Sequence, residues 1–173
     1  MMSPEGIGQL VEEHAAALTL YARQWCSVPE DVVQEAFLKL VSQSSPPHKP
    51  VAWLYRVVRN AAISAARSSK RRLRHEAAAA AQSPAWFVNS ESALLDVRVA
   101  SEALQTLPLE QREVIVAHLW GGLTFEEIAE VIGSSASTAN RWYLAGLAAL
   151  RERLGIPCPP KSTTQTSSKS QAD

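Results

Sequence analysis

Hydrophobic positions recur at helical spacing along most of this chain, and nowhere do they alternate as in a strand. Ile7, Leu10, Val11, Leu18, Tyr21, Ala22 and Trp25 form one stripe, which ends before Pro29. A second helix opens at Pro29, Glu30 and Asp31, because proline fits the first helical position and acids favour the electropositive first turn. Its stripe is Val32, Val33, Ala36, Phe37, Leu40 and Val41. Pro46, Pro47 and Pro50 fall within five residues, so 42–50 reads as a loop. A third helix follows, with Leu54, Val57, Val58, Ala61, Ala62 and Ala65 on one face.

After Arg74 the pattern fades. Residues 75–93 hold five consecutive alanines and then polar residues, which read as a linker because nothing there builds a core. Leu94, Val97, Leu104 and Leu107 mark a helix stopped by Pro108. Helix 109–119 places Val114, Ile115 and Leu119 inward and stops at Gly121 and Gly122. Helices over 124–132 and 136–154 carry Ile128, Ala129 and Ile132, then Ala139, Trp142, Tyr143, Leu147 and Leu150. Residues 156–173, rich in Ser, Thr and Pro, are expected to be disordered. The expected fold is all-α: two small helical domains, 5–74 and 94–155, joined by a flexible linker. Each is close to the smallest size at which a core supports itself.

The stretch 124–142 reads as a helix-turn-helix. Thr124 with Glu127 three residues on is a capping box. Ala129 lets two helices approach, and Gly133 stands where the turn needs a left-handed backbone. Ser134 or Ser135 caps the next helix, whose first turns carry Ser137, Thr138, Asn140 and Arg141. Hydroxyls and amides at a helix N-terminus reach phosphates, while Asn and Arg read base edges in the major groove. The plainer alternative is an αα-corner in which Gly and Ser only make the turn. Arg141, Arg151 and Arg153 are the only bases on that helix, and Glu152 opposes them, so alone it binds DNA feebly.

Charge changes the picture of the first domain. Lys+Arg and Asp+Glu number 17 each, yet residues 49–74 hold eight bases and no acid. In that block Arg56, Arg59, Asn60, Arg67, Lys70 and Arg71 project away from the apolar face, and Trp53 and Tyr55 lie beside them. Guanidinium groups next to aromatic rings suit an unpaired nucleic-acid strand, and a solvated basic face is the alternative. The preceding helix is the opposite: Glu30, Asp31, Gln34 and Glu35 make an acidic and amide face suited to a basic partner helix, or merely to water.

Several classes drop out. No run approaches the roughly 18 apolar residues of a membrane span, so no membrane insertion is expected. The first residues lack a basic and then apolar run, so no secretory leader is expected, and Cys26 and Cys158 lack any ligand spacing. A cytoplasmic compartment follows. No glycine lies between Gly8 and Gly121, which removes phosphate-cradling loops. His14, His48, His75 and His118 are scattered, so no catalytic residue, metal or cofactor is expected.

Four motifs carry a family resemblance. Asp31-Val-Val-Gln-Glu-Ala-Phe-Leu-Lys-Leu resembles the D-x-x-Q-E-x-F-L-x-L motif in region 2 of the bacterial RNA polymerase sigma factors. Trp53-Leu-Tyr-Arg-Val-Val-Arg-Asn resembles the W-L-x-x-I-x-R-N that follows it. Leu107-Pro-Leu-Glu-Gln-Arg-Glu-Val-Ile and Gly122-Leu-Thr-Phe-Glu-Glu-Ile-Ala resemble the two halves of region 4. Over residues 5–155 the order is similar to that of the small extracytoplasmic-function (ECF) group.

The resemblance implies a non-enzymatic initiation factor whose partners are core RNA polymerase and promoter DNA, and it admits an anti-sigma factor. Asp31, Gln34, Glu35, Phe37 and Leu38 would dock on the β′ clamp helices, and region 4 on the β flap. Trp53, Arg56, Arg59, Asn60, Arg67, Lys70 and Arg71 would hold the melted −10 element. Ser135, Ser137, Thr138, Asn140 and Arg141 would read the −35 element. Two rival readings are a stand-alone helix-turn-helix regulator and a degenerate sigma-like module that binds only proteins.

Overall fold

The computed structural model describes residues 3–75 and 102–155. All regular structure among them is helical: α1 (Pro4–Ala22), α2 (Pro29–Val41), α3 (Pro50–His75), α4 (Leu109–Leu119), α5 (Phe125–Ile132) and α6 (Ala136–Leu154). Residues 102–105 are helical too. Most of the expected linker, the start of the helix expected from Leu94, and the tail 156–173 lie outside the described residues.

The helix starts follow local chemistry. Ser3 caps α1, its hydroxyl accepting from the Gly6 N–H at 3.2 Å, and Pro4 fits the first turn. Pro29 opens α2 with Glu30 and Asp31 in its first turn. Arg23, just past α1, donates to Glu30 at 2.7 Å and so ties the α1–α2 corner shut. That hydrogen bond holds the Glu30 carboxyl below the usual carboxylate range. The proline-rich segment ends at Pro50, where α3 begins; its 26 residues extend for about 39 Å.

In the second lobe the capping box is formed in full. Thr124 Oγ1 accepts from the Glu127 N–H at 3.2 Å, and Glu127 accepts from the Thr124 N–H at 3.0 Å. Gly133 then takes φ 71°, a left-handed turn that a side chain would strain. Ser135 caps α6.

The two lobes pack against each other and share one core. Leu18, Tyr21, Tyr55 and Val58 of the first lobe are continuous with Val114, Ile115, Leu123 and Ile128 of the second. The join runs through α4, where Glu113, Val114, Ile115, Val116 and Ala117 are all buried. Five consecutive buried residues exceed any single helical face, so this helix is covered on every side. The first lobe covers it with α1, and the second with α5 and α6; α3 packs on α5 as well.

Three apolar positions differ from the expected inward pattern. Val11 and Val41 are 39% and 48% exposed because they line an open groove between α1 and α2. Leu119 is 52% exposed rather than inward, because the last turn of α4 runs out of the core and carries Trp120 out beside it.

Candidate nucleic-acid interface

On α6 the polar residues gather at the N-terminal turn. Ser135 Oγ accepts from the Thr138 N–H at 3.2 Å, lies 2.9 Å from Thr138 Oγ1 and is 3.0 Å from Ser137 Oγ. These three hydroxyls therefore share one cap. Asn140 and Arg141 lie a turn further on and are exposed. Ala139, just before them, is fully buried and fixes which way that turn faces. All five residues expected to read the −35 element sit together at one helix end.

Further along α6, Leu144, Ala145 and Gly146 interrupt any basic character. Packing accounts for Gly146: a β-carbon there would fall 2.6 Å from Ile115 Cδ1 and 3.2 Å from Gln111 Cβ. The glycine allows α4 and α6 to approach closely.

The cationic block lies along α3 in two environments. Asn60, Arg67, Lys70 and Arg71 are exposed, and Arg71 donates to Ser68 Oγ at 3.3 Å. Trp53 and Arg56 instead line a cleft of about 200 Å³ whose far wall is Glu130 and Val131 of α5. Lys49, one residue before α3, stands 3.8 Å from both Glu127 and Glu130.

Arg59 departs from the expectation that it projects away from the core. Its Nε donates to Glu113 Oε1 at 2.5 Å, and its guanidinium lies 6.0 Å over the Trp25 ring. Tyr21 donates to the same carboxylate oxygen at 2.6 Å. Helical periodicity placed Arg59 off the apolar stripe of α3, but it faces Trp25 of the first lobe and Glu113 of the second rather than solvent. Burial works against the Arg59 charge, but the Glu113 hydrogen bond and charge outweigh it and raise the guanidinium pKa. Burial, reinforced by Glu113, also pushes the Tyr21 hydroxyl well above its ordinary value.

Glu113 is the functional candidate that the sequence did not reveal. It is 3% exposed, the one charged residue among the buried groups described. Its partners are 92 and 54 residues away, so no local pattern signals it. The Tyr55 ring lies 4.8 Å from that of Tyr21; its Oη is buried without a hydrogen-bond partner, and a β-carbon at Gly121 would fall 2.5 Å from it.

The acidic helix α2 turns the other way. Asp31, Gln34 and Glu35 are exposed, with Glu35 paired to Lys39 at 2.8 Å. Phe37 is buried and Leu38 is 62% exposed. Both line the α1–α2 groove of about 350 Å³, together with Val11, Val33, Gln34 and Val41. Of the five residues expected to meet polymerase, Gln34, Phe37 and Leu38 line this groove, while Asp31 and Glu35 are exposed on α2 outside its lining.

One lobe thus carries a helix-turn-helix and the other a cationic, aromatic-flanked helix. Residues 10–72 match the family described as Sigma-70 region 2, and residues 98–150 match Sigma-70, region 4. The ECF RNA polymerase sigma factor SigL of Mycobacterium tuberculosis is 32% identical over 162 residues, covering 85% of this chain and 89% of SigL. The probable RNA polymerase sigma factor RfaY of Xanthomonas campestris pv. campestris is 29% identical over 150 residues, which are 80% of this chain and 37% of RfaY. Among solved structures, the sigma factor RpoE from Bartonella quintana, in complex with the anti-sigma factor NepR, superposes with a TM-score of 0.71 at 22% identity. That match covers 90% of this chain and all of RpoE. CnrH, in complex with the cytosolic domain of CnrY, gives 0.59 at 24% identity over 90% of this chain and 92% of its own. The chain belongs to the ECF group of RNA polymerase sigma factors, proteins that direct promoter recognition and transcription initiation. Among the described residues no helix is long and apolar enough to cross a membrane.

Proposed function

We propose that the two lobes divide promoter recognition between them, with α3 holding the melted −10 strand and the N-terminal turn of α6 reading the −35 element. The observation that carries this reading is the segregation of chemistry along α3. Its cations and Trp53 share the side away from the first lobe's own core, and Arg67, Lys70 and Arg71 extend that side beyond the lobe contact. Capturing unpaired bases on such a surface offsets the few kcal/mol that unstacking costs per step. In α6, Asn140 and Arg141 supply base-edge groups, and the Ser135, Ser137 and Thr138 hydroxyls face the phosphates.

Core polymerase binds the first lobe at the α1–α2 groove, which Gln34, Phe37 and Leu38 line, and at the exposed Asp31 and Glu35 beside it on α2. A basic, partly apolar helix such as a β′ clamp helix fits that chemistry. The second lobe meets the β flap, and exposed Leu119 and Trp120 offer an apolar contact for it. Residues 5–74 and 94–155 are the two functional domains. The protein works in the cytoplasm by binding, and the polymerase supplies the bond chemistry. RpoE is found in complex with an anti-sigma factor, NepR, and an anti-sigma factor is a candidate partner for this chain as well.

Run-off transcription from the DNA upstream of its own coding sequence tests the reading. Reconstituted holoenzyme should yield a discrete transcript, and Arg56→Ala should reduce open-complex formation at least tenfold while core binding persists. Normal opening by Arg56→Ala would remove α3 from the strand-binding role.

A further inference from the structure

One exposed residue of α6 is not explained by the packing of its lobe. The inner side of the helix is set by Ala139, which is fully buried, by Tyr143, whose ring meets His118 and Phe125, and by Gly146 against Ile115. Leu144 lies on the other side and is 57% exposed, the most exposed large hydrophobic of the second lobe among the described residues. A lone leucine is ordinary on a surface, but the register of this one is not. It stands seven residues after Ser137, four after Asn140 and three after Arg141, spacings that put all four on one side of a helix. The exposed residues that follow, Ala145, Ala148 and Ala149, add no polar side chain.

We propose that Leu144 makes this reading thymine-selective, by packing on the C5-methyl group of a thymine one or two base pairs from the base that Arg141 contacts. The inference rests on the −35 role of α6 given above. Chemistry leaves one target for the side chain. Every base edge in the major groove presents hydrogen-bonding groups, and thymine alone adds a methyl group. A leucine laid over a G·C pair would take guanine O6 and N7 or the cytosine amino group out of water without pairing them, which is costly. The distance follows from helix geometry: Leu144 lies about 4.5 Å along α6 from Arg141, and successive bases are about 3.4 Å apart along the duplex.

An apolar reader suits a helix this poor in charge. Arg141 is the only basic residue from 135 to 150, so phosphate attraction is slight there and does not by itself choose a sequence. A methyl contact carries no charge and does not fade with salt as phosphate contacts do. Its contribution is modest: one methyl group taken out of water changes binding about three- to fivefold. Leu144 thus discriminates between sites more than it holds them.

The test uses holoenzyme reconstituted with the full chain, selecting binding sites from a library of random duplexes. Wild-type holoenzyme should enrich thymine at one position of the upstream element, and Leu144→Ala, a surface truncation that leaves the core intact, should flatten that position alone. Deoxyuridine in place of that thymine removes only the methyl group. It should weaken wild-type binding about three- to fivefold and leave Leu144→Ala binding unchanged. The proposal is overturned if no thymine position responds to Leu144→Ala, or if deoxyuridine weakens wild type and variant equally. It is overturned as well if Leu144→Ala loses core polymerase with its base preference intact, which would give the side chain to a protein contact. Arg141→Ala separates the inference from the reading beneath it. If Arg141→Ala relaxes a neighbouring position and Leu144→Ala relaxes none, only the thymine contact falls. If neither variant relaxes any position, the −35 role of α6 falls with it.

Discussion

Gly146 of α6 sits directly against Ile115 of α4, with no room for a β-carbon: the nearest atom, Ile115 Cδ1, would be 2.6 Å away. Ile115 is fully buried, so its δ-methyl can yield only by disturbing a packed core. Alanine at 146 gains about 0.5–1 kcal/mol in helix propensity and loses a similar amount in packing. We expect Gly146→Ala to change stability by less than about 1 kcal/mol in urea unfolding. Gly146→Leu should destabilise by about 1–3 kcal/mol. A well-tolerated leucine would show that α4 and α6 are not in close contact.

The Thr124 cap gives a cleaner measurement. Its hydroxyl accepts the Glu127 N–H, and the lost acceptor leaves a helix-end donor without its partner. Thr124→Ala should cost about 1 kcal/mol and lower Tm by several degrees in a calorimetric scan. Thr124→Ser should restore most of it. Equal loss in both variants would assign the effect to the threonine methyl group rather than to the cap.

Alkaline stability follows from the two buried tyrosines. Burial raises the hydroxyl pKa of Tyr55, and burial with Glu113 raises that of Tyr21. A folded pKa above the unfolded one means that the stability concerned is complete below the ordinary tyrosine value near pH 10. It is lost as pH climbs from there toward the folded values. In a Tyr143→Phe variant, tyrosinate absorbance should therefore rise only together with loss of helical circular dichroism. Ionisation preceding unfolding would place at least one of these hydroxyls in contact with water.

Polymerase docking predicts a loss without unfolding. Asp31 and Glu35 are exposed on α2, three residues before Gln34 and Leu38 of the apolar groove, so reversing both to lysine leaves the core untouched. Retention on immobilised core enzyme should fall at least tenfold, more at low salt than at high salt. Leu38→Ala should weaken retention with little salt dependence, because its contribution is apolar. Full retention by the double reversal would exclude this face of α2 from the interface.

Much of this architecture was legible from local rules. The stripes of α2 and α3, the proline start at Pro29, the Thr124–Glu127 box and the left-handed Gly133 each depend on neighbours within a turn or two. What local rules miss is the seam. In α4, burial of five residues in a row erases the helical period, which is why Leu119 was expected inside and lies outside. Arg59 looked like one more cation on a solvated face, since nothing near it in sequence announces Glu113. The zero net charge had the same hidden content: the bases of 49–59 meet their matching acids only after the chain has folded back on itself.

The burial of α4 on every side has a consequence for the life of the protein in solution. Tyr21 and Tyr55 have no solvent exposure while α4 and its following turn lie against them. Pulling the lobes apart wets these rings and the flank of α4 that met them. Any separation of the lobes would therefore expose aromatic surface through which two copies could associate, so the lobe contact also guards against aggregation.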